Sequence, residues 1–155
     1  MKKTALAGRC GIYCGACEFN KAISHPEIRA MLSKAIHVAE EDIYCTGCGD
    51  LDEKSYGVGC KTAVCCDIHN VQYCFDCSEY PCNDLRTMVA DPYPHHHNVI
   101  IDLERMKEVG IDSWLTEQKK RWSCPACGES FCWYSETCST CGEKVMSCKE
   151  EASNE

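Results

Sequence analysis

Residues 124–142 read CPACGESFCWYSETCSTCG, and they hold two Cys-x-x-Cys-Gly turns, Cys124/Cys127 and Cys138/Cys141, joined by ten residues. A turn of this kind brings two sulfurs toward one ion and aims backbone N–H groups at the first of them. The glycine after the second cysteine takes the positive φ that lets the chain leave. Two such turns complete a tetrahedron of thiolates, the ligand set of a structural zinc site with no open coordination position. A segment of about 25 residues cannot bury a sufficient core, whereas a structural zinc contributes on the order of 10 to 16 kcal/mol, so the metal would largely make the fold here. The spacing is that of a zinc ribbon; rubredoxin-type iron uses a similar pair of turns and is the alternative. Between the turns, Trp133 and Tyr134 offer themselves as exposed aromatic contacts for a partner. Cys132 and Cys148 fall outside the pattern and read as spare thiols.

The first half is denser. Cys10, Cys14 and Cys17 open it in CGIYCGAC, Cys45 and Cys48 follow in CTGC, and Cys60, Cys65, Cys66, Cys74, Cys77 and Cys82 crowd the stretch CKTAVCCDIHNVQYCFDCSEYPC. With Cys66 set aside, ten cysteines remain, enough for two four-thiolate sites with two left over. Cys14/Cys17, Cys45/Cys48 and Cys74/Cys77 are close pairs and Cys60/Cys65 a wider one, but spacing does not say which pairs combine. Ligand type favours zinc. The alternative is a [4Fe-4S] cluster held by the three opening cysteines and a remote fourth such as Cys82. His69, between Cys66 and Cys74, is able to replace one thiolate.

Catalytic readings fare worse. Cys-x-x-x-Cys-x-x-Cys is also the spacing of radical S-adenosylmethionine enzymes, which need a large barrel to enclose cofactor and substrate; about 80 residues of loops cannot supply one. The cysteines sit beside acidic residues, as in FDCSE, rather than in the electropositive setting that makes a nucleophilic thiolate. His95, His96 and His97 are consecutive, so in an extended chain they point to alternate sides and cannot share one ion; a loop or partner surface is the better reading.

Composition sets the frame for these sites. Leu, Ile, Val and Phe together make up roughly one residue in six, too few for burial alone to fold a charged chain. Disulfides or metals must substitute, and the odd count of 17 cysteines fits a closed disulfide set poorly. Lys2 and Lys3 resemble a secretory start, but the apolar run after them ends at Gly8 and Arg9, well short of the roughly 7 to 15 residues a signal peptide needs. No run reaches the roughly 18 apolar residues of a membrane span, which leaves a cytoplasmic protein as the expectation. The formal charge of −8, falling to about −14 with three zinc sites, argues against a nucleic-acid partner. Lys119, Lys120 and Arg121 then read as a basic helix C-terminus facing water.

The elements that must position the sites are short. Ser24 as N-cap, Pro26 and Glu27 predict a helix over 24–37, with Ile28, Met31, Leu32, Ala35 and Ile36 on one apolar face directed at the core. NDLRTMV after Cys82 predicts a second helix. Asp102 as N-cap, Gly110 at the turn and SWLTEQKKRW predict a helical hairpin that buries Leu103, Met106, Val109, Trp114, Leu115 and Trp122 against the cysteine-rich part. The cysteines leave a gap of 41 residues between Cys82 and Cys124, where a boundary is expected.

CGIYCGAC, CTGC, CKTAVC, YCFDCSEYPC and LERMKEVGIDSWLTEQKKRWSCPACG together resemble the cysteine-rich domain-of-unknown-function family numbered 3795, from Cys10 to Cys141. The resemblance implies metal ligands at Cys10, Cys14, Cys17, Cys45, Cys48, Cys60, Cys65, Cys74, Cys77 and Cys82. Cys66 falls where the family usually has a small residue, and no reaction is implied.

The expectation is thus a small, metal-stabilised, mainly α fold with irregular loops: a cysteine-rich domain over 1–90, a loop and helical hairpin over 91–122, a zinc ribbon over 123–148 and a polar, frayed tail over 149–155. Its function is that of a non-catalytic zinc-binding interaction module with a protein partner and no membrane. The alternative is an iron-sulfur redox or electron-transfer protein carrying a structural ribbon.

Overall fold

A computed structural model describes residues 4–153. The lysines at the start and the last two residues of the tail lie outside it. Among the described residues there are seven α-helices and no β-strand, only isolated bridges. The helices are α1 (Glu18–Lys21), α2 (Pro26–Ile36), α3 (Lys61–Ile68), α4 (Asn83–Val89), α5 (Val99–Val109), α6 (Ile111–Arg121) and α7 (Cys148–Ser153). All 17 cysteines are free thiols.

The α5–α6 hairpin is the scaffold. Gly110 joins its helices at φ 80° and ψ 157°, a conformation that side chains rarely adopt. Val99, Leu103 and Met106 from α5 and Trp114 from α6 are fully buried, and they close on Ala7, Cys10, Tyr73 and Leu85. Each aliphatic side chain buried this way contributes about 1.5–3 kcal/mol. A second core gathers Ala16, Trp122, Phe131, Trp133 and Val145 around Cys124, Cys138 and Cys148. Ile12 and Tyr13 pack against both cores, so the opening cysteine loop lies at the centre of the molecule.

Several expectations need correction. The cap of α5 is Asn98 and not Asp102. Asp102 sits one turn inside the helix, where its Oδ1 accepts hydrogen bonds from Trp114 Nε1 and Gln118 Nε2, both at 3.0 Å. The cap of α2 is His25 and not Ser24, and no residue of that helix is buried. Met31 is 55% exposed and Ile36 38%, because α2 is tethered to the end of α1 by the Arg29 guanidinium on the carbonyls of Ala22 and Ile23 while the hairpin already fills the core. Trp133, expected at the surface, is 8% exposed beneath His95, whose ring stacks on it at 4.2 Å. Finally, the tail folds: residues 148–153 form α7, held by Arg121 Nε donating to Glu151 at 2.6 Å. This last contact also takes Arg121 out of the water-facing basic patch.

The three histidines are packing residues, one on Tyr134 and two on different oxygens of Asp91. His95 Nδ1 lies 2.6 Å from the Tyr134 hydroxyl, His96 Nδ1 2.6 Å from Asp91 Oδ2, and His97 Nε2 3.1 Å from the Asp91 carbonyl.

Candidate metal centres

The two C-terminal turns are copies of one another. Gly128 N–H donates to Cys124 O at 2.8 Å and Cys124 N–H to Glu129 O at 2.7 Å; Gly142 N–H donates to Cys138 O at 2.9 Å and Cys138 N–H to Glu143 O at 2.8 Å. Gly128 and Gly142 both have the positive φ that the spacing predicts, 78° and 74°. A bridge closes the base of each turn, Ser123 with Ser130 and Thr137 with Lys144.

The turns face each other so that Cys124 Sγ lies 3.6 Å from Cys141 Sγ, and Cys127 Sγ 3.6 Å from Cys138 Sγ. All four sulfurs lie within 4.8 Å of one another, and among the described residues no other set of three or more Cys, His, Asp or Glu donors does so. A tetrahedral ion with metal–sulfur bonds of about 2.3 Å sets its sulfurs about 3.8 Å apart, so this cluster has the dimensions of a metal site. Cys124 and Cys138 face the second core while Cys127 and Cys141 face solvent, which leaves one edge of the cluster accessible. Backbone N–H groups of Cys141 and Thr140 pull the Cys138 thiol down to about 7. At Cys127 the N–H of Glu129 favours the thiolate, but the thiols of Cys141, Cys138 and Cys124 crowd it, and the balance pushes it up to about 12. Four sulfurs this close cannot all ionise against their mutual repulsion unless a cation joins them.

In the first half the residues are placed as follows. Cys14 and Cys74 each begin a 3-10 turn preceded by a tyrosine, Tyr13 or Tyr73. In each the fourth residue closes on the first, Cys17 N–H on Cys14 O and Cys77 N–H on Cys74 O, both at 3.1 Å. Both turns hang from one N-terminal segment, since Cys14 N–H donates to Leu6 O and Cys74 N–H to Arg9 O, each at 2.9 Å. The Cys45/Cys48 turn packs against the first of them. Asn20 Nδ2 donates to Cys45 O at 2.9 Å, and Gly47 at φ 96° lies so close to Ala5 O that a Cβ would sit 2.3 Å from it. The Cys14 and Cys48 thiols share a hydrogen bond; together with burial it raises Cys14 well above the usual thiol range, and at Cys48 it outweighs burial and, helped by the Arg9 N–H, brings the thiol down to about 7. Cys10 is buried within electrostatic reach of Cys48 and Cys60, and Cys60 is exposed as the cap of α3.

Cys66 is the thiol that spacing passed over. It is 2% exposed, with its Sγ 3.8 Å from Cys74 Sγ. Its helical position, one residue after Cys65 and inward-facing, was its only signal. The other two spare thiols are packing groups: burial pushes Cys132 up to about 12 and Cys148 up to about 11, so both stay protonated at neutral pH.

Over residues 6–87 the sequence matches the family described as "Protein of unknown function (DUF3795)". The match includes all eleven cysteines of the first half and ends before the hairpin, short of the span to Cys141 that the resemblance suggests. No curated protein and no solved structure matches the chain.

Proposed function

The chain belongs to the DUF3795 family, and from that premise we propose that it is a zinc-binding protein, non-catalytic in itself, whose thiolate centres fix short helices and loops into a surface for a protein partner. The observation that carries this reading is the cluster of Cys124, Cys127, Cys138 and Cys141 within 4.8 Å. Read as a zinc ribbon, these four close the coordination sphere and leave no position for a substrate or water, which supports a structural role over hydrolysis. The ten cysteines from Cys10 to Cys82 that the resemblance marks supply further thiolates of the same kind.

The partner reading is supported by the apolar stripe of α2, where Met31 and Ile36 face solvent, as does Ile23 in the segment before the helix. The net charge of −8 supports a protein partner over nucleic acid. A reducing compartment such as the cytoplasm suits free thiols. No helix among the described residues is long and apolar enough to cross a membrane.

The test is to purify the protein without oxygen and measure bound metal, sulfide and visible absorption. A colourless protein with stoichiometric zinc is expected. A brown protein with bound iron and sulfide would replace this reading with the redox alternative for the first half.

A further inference from the structure

The segment from Cys60 to Cys82 folds around a void. Helix α3 brings Cys65, Cys66 and His69 to one side. The chain reverses through Asn70 at φ 53°, and Val71 N–H returns to Cys66 O at 2.9 Å. The Cys74–Asp76 turn then sets Cys74 and Cys77 opposite α3, and Cys82 closes the ring as the cap of α4. The result is a cavity of about 30 Å³ walled by Cys65, Cys66, His69, Cys74, Cys77 and Cys82, with Val71, Tyr80 and Leu85 completing it.

Its lining holds no carboxylate, amide or cationic amine. Tyr80, the one hydroxyl, donates to the Ile100 carbonyl at 3.4 Å. Packing alone does not explain the composition. A small core of this size is ordinarily filled with Val, Leu and Ala, whereas five thiols and an imidazole converging on one void form the donor set of a soft metal.

A second cavity, of about 410 Å³, lies on the other side of the same wall and is lined by Cys65, Cys74 and Cys82 together with the exposed side chains of Lys61, Asp84 and Thr87. Cys65, Cys74 and Cys82 thus line both the small void and the wider cavity that opens to solvent, which gives a metal its way in. Cys65 is also within electrostatic reach of Cys82 and Cys77. Cys66 lies against Cys74 with its Sγ at 3.8 Å, and Cys65 and Arg9 are also within its electrostatic reach.

We propose that Cys65, Cys74, Cys77 and Cys82 form a second thiolate metal centre, separate from the C-terminal four and more widely spaced than they are in this structure, which binds a thiophilic metal as a zinc ion or an iron-sulfur cluster. Cys66 is a fifth thiol held beside it and not a ligand. This rests on the metal-binding reading above and names which of the ten first-half cysteines share a centre; none of the four belongs to the C-terminal cluster, so either centre can fail alone.

The test uses the full chain, purified without oxygen. Metal and sulfide are counted in the parent protein and in Cys65→Ser, Cys77→Ser, Cys82→Ser, Cys66→Ser and Cys127→Ser. Each of the first three loses one centre's metal and keeps the C-terminal one; Cys66→Ser loses none; Cys127→Ser loses only the C-terminal metal. Loss of zinc alone identifies an ion, and loss of iron with sulfide a cluster; either supports the centre. Full metal in Cys77→Ser and Cys82→Ser overturns it, and loss in Cys66→Ser with retention in Cys65→Ser overturns the ligand assignment.

Because a ligand variant can unfold, the unmutated chain is also loaded with cadmium and read by cadmium–proton correlation. Couplings from one cadmium to the β-protons of Cys65, Cys74, Cys77 and Cys82 are expected. Cadmium coupled only to Cys124, Cys127, Cys138 and Cys141 refutes this centre while sparing the ribbon, and the reverse pattern refutes the ribbon while sparing this centre.

Discussion

Asp102 allows the sharpest quantitative prediction. It is clamped between α5 and α6, and its Oδ1 accepts from Trp114 Nε1 and Gln118 Nε2. Burial is the main influence on it and outweighs the Trp114 hydrogen bond, with the charge of Glu151 adding to the rise and Arg121 opposing it; the carboxyl is raised from 3.8 to about 6. A carboxyl with a raised folded pKa keeps its proton in the folded chain over a range where the unfolded chain has lost it. Stability from this group is therefore highest below 3.8, falls as pH rises to about 6, and stays lowered above that. A shift of roughly two units corresponds to about 3 kcal/mol at most, and partial solvent access reduces the expected effect to about 1–2 kcal/mol. Asp102→Asn keeps an acceptor oxygen for Trp114 and Gln118 and removes the buried charge. Urea unfolding, followed by tryptophan fluorescence at fixed free zinc, is the assay. The variant is more stable than the parent by about 1–2 kcal/mol near pH 8, and the difference shrinks toward zero near pH 4. Acid release of metal affects both chains alike and cancels in the difference. A difference that does not change with pH, or a variant less stable near pH 8, would refute the reasoning.

Three other outcomes follow from the geometry. Gly110→Ala lowers stability by about 1–3 kcal/mol although no atom lies within 4 Å of the added methyl, because φ 80° with ψ 157° is nearly closed to alanine; an effect under about 0.5 kcal/mol in the same unfolding assay would sink this. Met31→Lys and Ile36→Lys on α2 each change stability by less than about 0.5 kcal/mol, and a melting temperature that drops by several degrees in either would show that the stripe is covered. Replacing both Cys124 and Cys127 by Ser removes one metal and the ordered environment of Trp122 and Trp133, seen in near-ultraviolet circular dichroism, while the first half keeps its metal. Loss of all metal at once would show that the two cores, joined through Ile12 and Tyr13, form one cooperative unit.

Much of the candidate chemistry was legible because it is local. Cys-x-x-Cys-Gly places two sulfurs and a positive-φ glycine within five residues, and Gly128 and Gly142 take up that conformation. Gly110 marked the hairpin for the same reason. The C-terminal pairing was also legible, since only ten residues separate the two turns and the four sulfurs have few other ways to meet. In the first half the turns could be recognised but their partners could not, because Cys14 reaches Cys48 across more than thirty residues of intervening chain.

What the sequence by itself determined is therefore the inventory of turns, helices and thiols, each fixed by contacts within a few residues. Tertiary structure alone decided what each of them faces. The apolar stripe of α2 was real, but burial needs an opposing surface, and the hairpin had already covered the core. Asp102 looked like a cap until Asn98 started the helix a turn earlier and set the carboxylate between two helices. Cys66 looked spare until the reversal after α3 brought it to Cys74. Periodicity and spacing record what a segment can offer, and only the path of the whole chain determines what meets it.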